Sequence, residues 1–271
     1  DYTAELLPAL AAHFEPELVV EPGVPLAPEL GRWPRRRPAA LARALAGGAV
    51  DAVLYHLGDH HRFHAAIWRA CRELPGVVVL HEIALHHLVR DATLHAGRPA
   101  AYVAELARAG GSEGEEAARR ALATGIPLDP YRWPLSEPVL DASRGVIVHS
   151  EWAREQLLAR RPAARVHVVP HHLSFGGHEP VGRDEARRRL GLAAGTPLVA
   201  AFGAVAPSKR PRVLLRAFRA VRSRHPNARL LFVGEVGGEL AAIDWVPPAL
   251  GNGVTVTGRV PFAELLLHME A

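Results

Sequence analysis

Short apolar runs recur along the chain, most of them followed by an amphipathic stretch of helical length. "ELVVEP" (17–22) precedes a Pro/Arg-rich loop and the helix "PAALARALAGG", and "VDAVLYHLG" (50–58) precedes "HRFHAAIWRACREL". "GVVVLHE" (76–82) precedes "IALHHLVRD"; "RGVIVHS" (144–150) leads into "EWAREQLLARR", with "ARVHVVPHH" (164–172) behind it. The rhythm restarts with "PLVAAFG" (197–203), a helix over 211–223, "ARLLFVGE" (228–235), a helical stretch near 238–243, "GVTVTGR" (253–259) and a final helix. Unbroken apolar runs, rather than strict alternation, predict strands covered on both faces. That is the pattern of a parallel α/β sheet.

Segment 173–196 carries helix, glycine and proline signals in place of a strand and reads as a joint. The prediction is an α/β protein of two doubly wound Rossmann-like domains, residues 1–178 and 179–271. Residues 92–136 show no strand pattern and read as a helical insertion with a mobile "AGGSEGEE" centre. At the start, "DYTAELLPALAAHF" reads as an amphipathic helix with Leu6, Leu7, Leu10 and Phe14 on one stripe. The closing "PFAELLLHMEA" is another, with neither cap nor breaker after it. These ends suggest a fragment that lacks its first strand and the close of its second domain. Such a piece is expected to bind ligand weakly, to turn nothing over and to pack its second sheet loosely.

The 271 residues are 49% hydrophobic, enough for two cores, and no apolar run approaches the roughly 20 residues of a membrane span. Cys71 is the sole cysteine, so no intramolecular disulfide forms and a reducing cytoplasm is the expected setting. The net charge is only +4, but its make-up is unusual: of 32 basic residues, Lys209 alone is lysine.

In open α/β sheets ligands sit at the carboxyl ends of strands. Here those ends carry His56-Leu57-Gly58, His81-Glu82, His149-Ser150, Gly203, Gly234-Glu235 and Gly258-Arg259. Gly203 permits a turn and close approach of a ligand to backbone. Lys209 and Arg210 stand at the mouth of the next helix, whose first turn holds Pro211. Unpaired N–H groups and the positive dipole end favour an anion there, and the two cations complete a diphosphate site. A solvent-exposed turn is the plainer reading of the same residues. No Walker pattern is present.

The ordered set "VIVHSEW", "VVPHH", "RRRLGL", "FGAVAPSKRPRVLLRAFRAV", "ARLLFVGEV" and "VTVTGRVPFAELL" resembles a retaining glycosyltransferase of family 4, with the two-domain GT-B architecture. The resemblance runs from about Asp51 to the end. It implies a nucleotide diphosphate sugar bound in an interdomain cleft, mostly by the second domain. Lys209 matches the family's diphosphate-binding lysine, and Arg210, Gly203, Gly234, Glu235 and Gly258 fall on the donor side. His81 matches a histidine that contacts the donor sugar beside the reacting carbon. Two departures stand out. Ala204 occupies a position where arginine is common, and the paired glutamates that grip the donor would lie beyond Ala271.

On the acceptor side, Gly58, His64 and Ser150 are the candidates. Ser150 also reads as a helix N-cap, with Glu151 in the first turn. The 16 histidines include His60 and His64 four apart beside Asp59, and the pairs His86-His87 and His171-His172. None completes a zinc motif, and neighbours in a helix point apart, so no metal is expected. "RWPRRRP" (32–38) reads as a solvated basic loop, with contact to an anionic membrane as its functional alternative.

The expected activity is therefore sugar transfer, with retention, to a polysaccharide or lipid-linked acceptor. No cofactor beyond the donor and no nucleic-acid partner is expected. The location would be cytoplasmic, peripheral at the membrane's inner face. The rival class is a non-catalytic nucleotide-sugar binding module.

Overall fold

The computed structural model describes residues 2–21, 23–172, 179–237, 240–241 and 245–271. The chain divides into two compact units, Asp1–Leu173 and Ser174–Ala271. The expected boundary after residue 178 falls among residues outside the described set.

The first unit opens with helix α1 (Tyr2–Leu10), of whose apolar stripe only Leu7 is fully buried while Phe14 is exposed. Strands β1 (Leu18–Val19) and β2 (Arg35–Arg36) pair in parallel as a two-stranded ribbon. This corrects the reading of "RWPRRRP" as a loop: half of its arginines form a strand, and Arg36 Nε donates to Glu17 Oε2 at 2.8 Å. Helix α2 (Pro38–Ala46) follows.

A four-stranded parallel sheet then forms from β3 (Leu54–Leu57), β4 (Val77–Leu80), β5 (Gly145–Val148) and β6 (Val166–Val168), in chain order. Its crossovers carry α3 (His61–Glu73), α4 (His86–Thr93), α5 (Pro99–Thr124), α6 (Glu137–Ala142) and α7 (Glu151–Arg160). Leu57, Val78, Val148 and Leu157 lie in one core with Leu88 and Leu106, all almost wholly buried. Burial of this order is worth about 1.5–3 kcal/mol per large side chain. Strands need no polar face here, which is why they read as continuous apolar runs.

The predicted insertion is helical, and two glycines of its centre make close contacts. Helix α5 kinks at Gly110 and Gly111, and a Cβ at Gly110 would strike the Trp133 ring. Gly114 is buried, with no room for a Cβ beside the Leu106 carbonyl. Gly110 and Gly114 serve close approach within the helical layer.

The second unit has α8 (Arg183–Arg189) and a three-stranded parallel sheet, β7 (Leu198–Phe202), β8 (Arg229–Val233) and β9 (Val254–Val256), again in chain order. Helix α9 (Pro211–Arg224) connects β7 to β8, and α10 (Phe262–Glu270) follows β9. Pro211, Leu215 and Phe218 fall at i, i+4 and i+7 on α9 and are its buried residues. Leu215 and Phe218 meet Leu230 and Phe232 of β8 in a separate core. The expected helix near 238–243 lies for the most part outside the described residues. Both units are parallel α/β layers of the Rossmann-like kind, as the apolar runs predict. Among the described residues no helix is long and apolar enough to cross a membrane.

Candidate functional site

Carrying each strand register one or two residues past the sheet aligns the candidate residues. Phe202 pairs with Val233 and Phe232 with Val256, so Gly203, Gly234 and Gly258 stand level at the carboxyl ends of β7, β8 and β9. Gly203 has φ of 99° and Gly258 φ of 74°, both left-handed conformations suited to glycine. A Cβ at Gly234 would overlap the Gly203 carbonyl. Past the strands Gly203 N donates to Val233 O (3.0 Å) and Val205 N to Glu235 O (2.8 Å), holding the two loops together. Glu235 itself is exposed.

From this floor the chain enters a 3-10 turn, Pro207–Lys209, and then α9. Arg210 is the N-cap, at φ 53° and ψ 46°, a left-handed conformation uncommon outside glycine. Pro211 follows at the first helical position and no acidic residue stands in the first turn. The positive end of the helix is thus left without a carboxylate of its own. Lys209 and Arg210 are exposed, and neither has an ion pair among the described residues. Free cations, a helix N-terminus and accessible strand-end backbone are the requirements of a phosphate site.

The first unit's sheet ends differently. His81 and His149 are the first residues past β4 and β5 and stand level in register. His56 lies in β3, and His171 and His172 follow β6. The Tyr2 ring sits among all five, with centroid distances from 4.3 Å to His172 up to 5.5 Å to His149.

Hydrogen bonding fixes the protons. His149 Nδ1 must donate to the Val169 carbonyl (2.9 Å), so its Nε2 accepts from His81 Nδ1 (3.3 Å). His81 Nε2 then accepts from His56 Nδ1 (3.3 Å). His56 and His81 are neutral at neutral pH. Burial first, and neighbouring imidazoles second, push His56 and His81 down to about 4. Both nitrogens of His81 are engaged, by long bonds, and a sugar hydroxyl at His81 would have to displace one of them.

Gly58 and His64 line an open cleft of about 510 Å³ with Asp59, His60, Glu82 and Asp91. Asp59 is anchored there, accepting from Leu88 N (2.8 Å) and lying 2.5 Å from His87 Nδ1. Ser150 is the N-cap of α7, its hydroxyl accepting from Ala153 N at 3.2 Å. It lies outside that cleft. His86, by contrast with exposed His87, is a core residue between the Trp133 carbonyl (2.7 Å) and the Tyr102 hydroxyl (3.0 Å). A wider depression of about 820 Å³ around α8 holds none of the candidate residues.

The residue-by-residue reading singles out His81 from this cluster but not Tyr2, His149 or His171. The only signal for them is that histidines lie at or just past the ends of four parallel strands. Their closeness comes from register across the sheet, which no local spacing records.

No family model matches the chain. Curated relatives do. A D-inositol 3-phosphate glycosyltransferase of Nocardia farcinica is 36% identical over 123 residues, covering 44% of this chain and 27% of the relative. Proteins of the same name are 38% identical over 105 residues in Actinosynnema mirum and 31% identical over 145 in Mycolicibacterium smegmatis. These cover 38% and 52% of this chain, and 25% and 32% of the relatives. The chain spans about a quarter to a third of the length of the relatives it matches, and the likeness is to glycosyltransferases.

Proposed function

We propose that this chain serves a glycosyltransferase of the retaining, GT-B kind, and that its second unit binds the diphosphate of a nucleotide-sugar donor. The observation that carries the reading is the start of α9. Lys209 and Arg210 are exposed and without an ion pair among the described residues, beside a helix N-terminus that has no acidic residue and follows strand-end glycines. The likeness to curated glycosyltransferases supports the same class of reaction.

In this scheme the bond between the anomeric carbon and the diphosphate breaks as the acceptor oxygen bonds that carbon, and the hydroxyl proton passes to the departing diphosphate. Lys209 and Arg210 neutralise the charge that develops on the departing phosphate oxygens, while backbone at Gly203 and Gly234 comes close to them. His81 orients the sugar through a hydroxyl. The acceptor lies toward Gly58 and His64. It is a hydroxyl of a polysaccharide or lipid-linked glycan or, following the names of the relatives, an inositol phosphate. Any membrane contact would rest on Arg32, Arg35 and Arg37, because Arg36 is spent on Glu17.

Transfer should be assayed with the full-length gene product, UDP- and GDP-sugars and these acceptors, with and without EDTA. Labelled sugar should reach acceptor at a similar rate in EDTA, because side-chain cations serve the leaving group. Loss of transfer in EDTA, restored by magnesium or manganese, would overturn that assignment. A donor that binds and is never consumed would favour the binding-module reading, to which Ala204 already lends weight.

A further inference from the structure

We propose that the carboxyl edge of the four-stranded sheet is a transition-metal site of the zinc class, held by His81, His149 and His171. Each contributes one ring nitrogen, and the three nitrogens lie within 4.8 Å of one another. Two nitrogens at about 2.0–2.1 Å from a zinc ion, at the tetrahedral angle, stand roughly 3.3–3.4 Å apart. His81 Nδ1 and His149 Nε2 are 3.3 Å apart. An ion between them would replace the proton they share.

The outer bonds already select the ligating atoms. His149 Nδ1–H donates to the Val169 carbonyl at 2.9 Å, and His171 Nδ1–H to the His172 carbonyl at 2.7 Å. Each bond leaves the Nε2 lone pair for a metal and fixes the ring, the arrangement usual for ligating histidines. His81 would ligate through Nδ1. Its proton moves to Nε2 and is donated to His56 Nδ1, while His56 carries its own proton on Nε2. The proton count is unchanged, and His56 turns from donor to acceptor across the same 3.3 Å contact.

Three imidazoles and no carboxylate suit zinc, copper or nickel rather than magnesium or calcium. They leave a fourth position for water or another small ligand. The Tyr2 ring, 4.7 Å from the His81 ring and 5.0 Å from that of His171, gives the site an apolar wall. The ligands follow three different strands, with His81 and His149 standing 68 positions apart, so no local motif announces them. The proposal stands apart from the transferase reading and competes with it at His81: with Nδ1 on the metal and Nε2 bonded to His56, no nitrogen is left for a sugar hydroxyl.

The test is cobalt(II) titration of tag-free protein, stripped with EDTA and desalted, followed by zinc(II) displacement. One equivalent of cobalt should bind and give the intense visible absorption of a low-coordinate site, which zinc abolishes. His149→Gln and His171→Gln should each weaken cobalt binding by at least ~100-fold, beyond the ~10–100-fold lost with an outer-shell partner. His171 is exposed, so its substitution spares the fold. His95→Gln, an exposed histidine beside Asp91, should leave the titration as in the wild type. Absence of a stoichiometric site in the wild type, or an unchanged affinity in folded His171→Gln, would overturn the proposal.

Discussion

The two sheets present opposite chemistries at the same structural position. Level at the strand ends of the second unit stand Gly203, Gly234 and Gly258; in the first unit the corresponding places next to one another hold His81 and His149. Glycine removes the side chain and gives a ligand the backbone. Histidine fills the place with a ring that hydrogen-bonds its neighbours, and burial keeps His81 from protonating. One fold class can thus build an anion floor or a titratable cluster from the same register. The residue at the strand end decides which.

The largest expected effect breaks the glycine floor. Gly234→Ala would force a Cβ onto the Gly203 carbonyl, and two backbones would have to separate. A loss of about 3 kcal/mol is expected, which lowers the melting temperature of a unit this size by more than ~10 °C. Donor binding should fall with it. Gly114→Ala, which meets the Leu106 carbonyl in the first unit, should destabilise comparably while leaving donor affinity in the folded protein unchanged. Calorimetry beside donor titration separates the two. Equal loss of donor affinity in both variants would dissolve the contrast between the sheets.

A smaller effect concerns Arg210. Arg210→Ala should weaken donor binding by at least roughly tenfold, the lower end of the ~1.5–3 kcal/mol expected when a charged hydrogen bond is removed. Arg210→Gly should bind as weakly, yet stabilise by up to about 1 kcal/mol, because glycine accepts the left-handed conformation held at φ 53°. Tight donor binding by the glycine variant would show that the loop's shape matters there, not the charge.

A further effect is on pH. His56 and His81 have folded-state values near 4, below the ~6.5 of an unfolded histidine. The unfolded chain therefore binds more protons between these limits, and stability rises with pH across that window. Melting temperature should fall as pH drops from 7 toward 4, and fall less steeply in His56→Gln. An equal slope in both proteins would mean the cluster is not held neutral by the fold.

The strands of both sheets were legible because a strand of a parallel sheet reads as an unbroken apolar run, as in Val77–Leu80 and in residues 230–233 of β8. Ribbon strand β2 was not, since its two residues are arginines set by pairing with Leu18 and Val19. Glycines at 110 and 114 read as flexibility, whereas Trp133 and Leu106 make them points of contact. The cation pair before α9 was legible from order alone: strand, glycine, lysine, proline, helix. The imidazole cluster was not, because the bonds of His81 reach 25 and 68 residues along the chain.

Donor titration of Lys209→Ala tests the central claim most directly. Wild-type protein and the variant, both shown folded by their melting curves, would be titrated with the same UDP- or GDP-sugar. A charge-assisted hydrogen bond is worth about 1.5–3 kcal/mol, so the variant should bind roughly 10- to 150-fold more weakly. Unchanged affinity, for a donor the wild type binds, would remove Lys209 from the phosphate site and contradict the account.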